Sequence, residues 1–184
     1  MSRRKFSFLL RTALVVLGVV FVLVFATGTL KLYQNPTRSM SPTIEPGDRA
    51  IATRILNPAK RVKRGDVVAF DATRAHPGFT GKFIQRVVAL GGDRIEWDGG
   101  ELRVNGVALP ERAGLKPQRA QGPLKPGTPL PSYPLVIPPG SVFTMGDNYG
   151  NSLDSRYFGP FPIDAVSHSA DYIVTPWSRA GKIE

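Results

Sequence analysis

Arg94-Ile95-Glu96-Trp97-Asp98-Gly99-Gly100-Glu101-Leu102-Arg103-Val104 alternates polar and apolar residues on either side of an Asp-Gly-Gly tip. That alternation is the period of a β-strand, and the glycines supply the backbone freedom of a tight turn, so the stretch reads as a hairpin. Asn105-Gly106 is a second tight turn. Upstream, residues 83–90 are strand-like and end in the turn residues Gly91-Gly92-Asp93. Residues 67–70, introduced by Arg64-Gly65-Asp66, and residues 50–55 are further short apolar runs. Downstream, strand signals resume at 141–145 and 170–175. Residues 112–134, rich in Pro, Gly and Lys and without a period, read as a long exposed loop or insertion. Short, closely spaced strands with no amphipathic helix point to a mostly β, antiparallel, barrel-like domain.

The N-terminal end is different. Residues 12–30 carry no charge and are rich in Val, Leu and Phe, close to the ~20 residues that cross a bilayer. Arg3, Arg4, Lys5 and Arg11 precede the run and Lys31 follows it, which places residues 1–11 in the cytoplasm and residues 31–184 outside. A cleaved secretory signal ending near Ala26-Thr27-Gly28 is the competing reading, but the apolar stretch is long for one. The chain has 184 residues and a formal net charge of +10. A basic surface suits the anionic face of a bilayer as well as nucleic acid. No Lys/Arg tract is interleaved with aromatics, which speaks against nucleic acid. The absence of cysteine excludes disulfides, thiolate zinc sites and thiol nucleophiles.

Between anchor and strands, residues 35–48 read Asn-Pro-Thr-Arg-Ser-Met-Ser-Pro-Thr-Ile-Glu-Pro-Gly-Asp, turns and extended backbone with Ser39 and Met40 side by side. The Ser39-Met40, Pro42-Thr43 and Gly47-Asp48 pattern resembles the nucleophile motif of the type I signal peptidases, membrane-anchored serine proteases of the Ser/Lys dyad kind. Three more segments carry the resemblance in the family's order. They are residues 64–70 (Arg-Gly-Asp-Val-Val-Ala-Phe), residues 83–93, which look like the dyad-lysine strand, and residues 146–159, with Gly146-Asp147-Asn148 and Ser152-Leu153-Asp154-Ser155-Arg156.

The resemblance implies a signal-peptidase domain behind one transmembrane helix in the cell (inner) membrane. It implies an endopeptidase that removes N-terminal signal peptides from exported preproteins after small residues at the first and third positions before the bond. The peptide would lie extended along a strand edge, with Met40 and the residues near Ile84 as lining. Ser39 is then the nucleophile, activated by a desolvated lysine acting as base. The Ser39 amide and the Thr37 hydroxyl form the oxyanion hole. Ser152 orients the base, and Asp154 and Arg156 form a structural ion pair. Asp147 and Asn148 read as turn formers. No cofactor or metal is implied.

One position departs from the pattern. Where the family has its lysine, this chain has Gln85, whose amide cannot serve as a general base. Lys82 is the candidate for a displaced base, but in a regular strand it points away from Gln85, about 10 Å off, unless a bulge at Gly81 re-aims it. Arg86 stays protonated, and His76 and His168 lie outside the motifs and read as surface residues. Three functions therefore stand open: a signal peptidase with a displaced base, a catalytically impaired homologue that binds exported segments at the membrane, and a β module that binds a membrane surface or polyanion.

Overall fold

The computed structural model describes residues 3–76, 78–112, 114, 116–120, 122 and 130–184. Helix α1 (Arg3–Ala26) opens the chain. Within it Lys5–Ala26, 22 residues of mean hydropathy 2.7, has none of its most apolar window buried against the protein. At ~1.5 Å per residue it is about 33 Å long, enough for a bilayer's hydrocarbon core. Gly28, at φ +68°, ends the helix. Its amide reaches the Phe25 carbonyl and that of Thr29 the Val24 carbonyl, both at 3.1 Å, satisfying carbonyls the helix leaves open. The apolar run of residues 12–30 is therefore not one element. Leu30, its last residue, starts strand β1 (Leu30–Gln34) and pairs with Thr53.

The remaining strands are β2 (Arg49–Arg54), β3 (Val67–Asp71), β4 (Lys82–Leu90), β5 (Arg94–Asp98), β6 (Glu101–Val104), β7 (Val107–Ala108), β8 (Leu135–Val136), β9 (Ser141–Met145), β10 (Phe161–Pro162), β11 (Val166–Thr175) and β12 (Gly181–Lys182). Single-turn helices α2 (Pro58–Arg61), α3 (Ala72–Ala75) and α4 (Ser155–Phe158) fill connections. An eight-stranded sheet runs β1-β2-β11-β3-β4-β9-β10, with β12 on β11, and a four-stranded one runs β7-β6-β5-β8. All pairings are antiparallel. The large sheet is an open half-barrel, curled so far that β1 and β4, with three strands between them, line one cavity.

Burial follows the alternation of each strand. In β3, Val68 and Phe70 meet Val87, Val142 and Phe161 on one side, while Val67 meets Met40, Ile44, Ala52 and Ala170 on the other. The hairpin of β5 and β6 packs Ile95, Leu102 and Val104 on Val88, Phe143 and Met145. Phe70, Phe143 and Phe161 are fully buried, and truncating any one to alanine costs about 3–5 kcal/mol.

Three expectations change. Met40 is not cleft lining but fully buried core; the same flexible apolar side chain suits either place, and here it anchors the loop that carries Ser39. The histidines are not surface residues either. His168 is buried, its Nε2 donating to the Gly28 carbonyl at 3.1 Å, and His76 stacks on Phe158 with ring centroids 3.8 Å apart. Part of the 112–134 segment is packed: Arg119 lies over the Trp97 ring, and the Gln118 carbonyl accepts from Arg156. Residues 113, 115, 121 and 123–129 of that segment, like residues 1–2, lie outside the described residues.

Burial pushes the His76 imidazole down to about 4 and moves His168 in the same direction. The unfolded chain, whose histidines titrate near ~6.5, therefore binds more protons than the fold below that pH. Stability falls as pH drops from about 6.5 towards 4, and His76→Phe flattens this dependence. Thermal unfolding of the detergent-solubilised protein at pH 7 and pH 4.5 measures it. An undiminished pH dependence in His76→Phe would contradict the assignment.

Candidate active site

Residues 35–48 form a loop closed at its base. The Asn35 amide donates to the Asp48 carbonyl at 3.0 Å and the Gly47 amide to the Asn35 carbonyl at 2.8 Å. The buried Asn35 side chain donates to the Thr37 and Ile44 carbonyls at 2.8 and 2.9 Å, and Arg179 clamps the Asp48 carboxylate at 3.0 Å. With Met40 sunk in the core, Ser39 is left on the cavity side. Its Oγ lies 3.0 Å from Thr37 Oγ1, and its amide points at the same oxygen at 3.4 Å. Among the described residues no ionisable side chain is hydrogen-bonded to Ser39 Oγ.

A second loop, after β9, holds the first. The Asn148 amide donates to the Ser39 carbonyl at 3.0 Å and its side chain to the Arg38 carbonyl at 3.1 Å. Gly146 sits where the two loops cross; a Cβ there would run into Ser152 Oγ and the Ser39 carbonyl oxygen. Asp147 is more than a turn former. It is buried and takes Arg86 in a two-point bond (2.8 and 2.6 Å), the Thr43 hydroxyl at 2.5 Å and Arg112 at 3.3 Å. Asp154 and Arg156 form a second buried pair with two contacts of 2.8 Å, and Asp154 caps α4. Ser152 Oγ accepts from the Gly146 amide at 3.2 Å.

Gln85 faces this arrangement from β4 and is buried. Its Nε2 donates to the Leu153 carbonyl and its Oε1 accepts from Thr144 Oγ1, both at 2.6 Å. Both ends of the amide are spent on structure. Thr144 went unnoticed in the sequence, although a threonine within the apolar strand Ser141–Met145 is the signal that a buried polar partner exists.

Lys82 is bonded away from Ser39. From Asp71↔Lys82 to Val67↔Arg86 the register of β3 and β4 is unbroken, so no bulge brings Lys82 onto the face of Gln85. Its ammonium is 2.7 Å from Asp71, and that hydrogen bond holds the Asp71 carboxyl below the usual carboxylate range.

Ser39, Thr37 and Gln85 line one cavity of about 510 Å³, with Tyr33 and Asn35 on the same side as Ser39 and Lys82, Phe83 and Ile84 along β4. Both flanking backbones have a free edge. Among the described residues β1 pairs only with β2, and β4 pairs with β9 only from Arg86 onward, leaving residues 82–85 unpaired on that side. An extended peptide can hydrogen-bond to either edge.

A family model described as signal peptidase, peptidase S26, matches residues 7–177. A signal peptidase I of Leptolyngbya laminosa is 31% identical over 172 residues, covering 91% of this chain and 79% of that protein. A signal peptidase I of Bacillus caldolyticus is 30% identical over 171 residues, 86% of this chain and 90% of the relative. A crystal structure of a signal peptidase I from Enterococcus faecalis, 29% identical, superposes with a TM-score of 0.42 over 58% of this chain and 94% of that one.

The buried Arg86–Asp147 pair carries a stability prediction. Asp147→Ala strands the Arg86 guanidinium and frees Thr43, at a cost of about 3–5 kcal/mol. Lys82→Ala breaks only a solvent-screened pair with Asp71 and costs far less. Chemical denaturation of the two variants side by side checks the order; equal losses would contradict it.

Proposed function

The chain belongs to the signal peptidase family, peptidase S26, and we propose that Ser39 is the nucleophile with which it removes signal peptides from exported preproteins. The observation that carries this is the place of the Ser39 hydroxyl, beside Thr37, in a cavity bounded by two free strand edges. A signal peptide lies extended between β1 and residues 82–85. Its scissile carbonyl rests over Ser39, and the preceding side chains are small enough to fit beside Ile84. Ser39 Oγ attacks that carbonyl, and the Ser39 amide and Thr37 hydroxyl stabilise the oxyanion. Loss of the amine leaves an acyl-enzyme that water hydrolyses. Helix α1 anchors the domain, with the basic residues Arg3, Arg4, Lys5 and Arg11 on the cytoplasmic side and residues 31–184 outside.

Among the described residues no basic side chain is bonded to Ser39 to take its proton. Gln85 cannot accept it, and the Lys82 side chain is bonded to Asp71 at 2.7 Å instead of to Ser39. Water receives the proton instead, and the departing amine is protonated from water. Catalysis rests on positioning and the oxyanion hole, and the rate stays well below that of a site with a base.

The test is cleavage of a model preprotein by the full chain in lipid vesicles. The wild type cleaves slowly after a small residue, Ser39→Ala does not cleave, and Gln85→Lys is faster by about 10²–10⁴, the usual contribution of general-base catalysis. Cleavage that survives Ser39→Ala removes Ser39 from the chemistry. Peptide binding without cleavage, in both the wild type and Gln85→Lys, transfers the chain to the non-cleaving alternative.

A further inference from the structure

The cleft has two chemically different ends. Hydroxyl and amide groups surround Ser39, whereas Lys82, also lining the cleft, lies further along β4 and acts electrostatically on Tyr33. Lys82 lies three residues from Gln85 along β4, about 10 Å at ~3.3 Å per residue. Its ammonium has three donors. One goes to Asp71 Oδ2 at 2.7 Å, while Asp71 Oδ1 accepts from the Thr73 amide at 3.0 Å and is fixed as the cap of α3. With 42% of its side chain exposed, Lys82 has donors to spare for the cavity, and it is set there by a carboxylate that cannot follow it. Lys31 and Arg54 add positive potential near this end, since with Lys82 they work against a proton on His168.

This end also faces the anchor. The Tyr33 hydroxyl is 3.4 Å from His168 Nδ1, and His168 Nε2 holds the carbonyl of Gly28 in the turn that leaves α1. A substrate whose apolar segment sits in the bilayer enters the cleft from here. The residues before the scissile bond therefore run from Lys82 towards Ser39.

We propose that Lys82 is a specificity-determining residue, selecting an acidic side chain at the fourth residue before the scissile bond and disfavouring a basic one there. The register follows from the strand: with the residue before the bond level with Gln85, the fourth is level with Lys82. Side chains alternate, so the fourth points opposite to the first, as Lys82 points opposite to Gln85. The inference rests on the cleft being the signal-peptide site.

Binding tests it without relying on turnover. The full-length Ser39→Ala protein is placed in nanodiscs of zwitterionic lipid. It is titrated with three fluorescent peptides spanning a preprotein cleavage site, identical except for Glu, Ala or Lys at the fourth position. Affinity is expected to fall in that order by about two- to fivefold per step, as partly exposed charge pairs allow, and the spread to collapse in ~1 M salt. Adding Lys82→Ala erases the spread and adding Lys82→Glu inverts it. Equal binding of the three peptides, or a spread that Lys82→Ala leaves intact, overturns the subsite and leaves the cleft reading standing. No binding of any peptide removes the cleft reading and the subsite with it.

Discussion

The ion pair of Arg86 and Asp147 is the constraint on which the site depends. Desolvating two charges is costly, and it is offset here only because nearly every donor and acceptor is used. Arg86 also donates to the carbonyls of Gly65 and Glu184, at 2.6 and 2.7 Å, while Asp147 holds Thr43 and Arg112. One contact thereby joins β4, the loop after β9, the loop of residues 35–48 and the end of the sheet. Its sequence neighbours inherit the placement. Gln85 precedes Arg86 and faces the cleft; Asn148 follows Asp147 and holds the Ser39 carbonyl. A buried ion-pair network thus sets where Ser39, the proposed nucleophile, stands.

Gln85 shows how the scaffold holds an uncharged amide at a buried position facing the cleft. The amide is nearly isosteric with part of a lysine chain but needs a donor and an acceptor partner when buried. The Leu153 carbonyl and the Thr144 hydroxyl supply both. The position is stable as glutamine because β4 stays cross-linked to β9 and to the loop that carries Ser152. In the proposed mechanism the consequence falls on chemistry: Ser39 is positioned, and the side chain at position 85 cannot take its proton.

Much of this was legible in the sequence because strands that bury one face announce themselves by alternation. The hairpin of residues 94–104 and the strand of residues 83–90 lie close to where the pattern put them. β1 was hidden, since Leu30 closes an apolar run that continues without a charge from the helix, and only Gly28 marks the break. Met40 and the histidines were misplaced because burial depends on partners distant in sequence. Asp147 reads as a turn former on its own; what makes it a buried ion is Arg86, 61 positions away. No local pattern carries that information.

The central claim is that Ser39 works without a side-chain base, and the pH–rate profile of preprotein cleavage by the wild type tests it most directly. Between about pH 7 and 10, above the range in which the histidines titrate, the account predicts a logarithmic rate that climbs with a slope of about one and no plateau, as water-borne base requires. A plateau or bell whose midpoint lies in that range would contradict it, because a titrating group would then be activating Ser39.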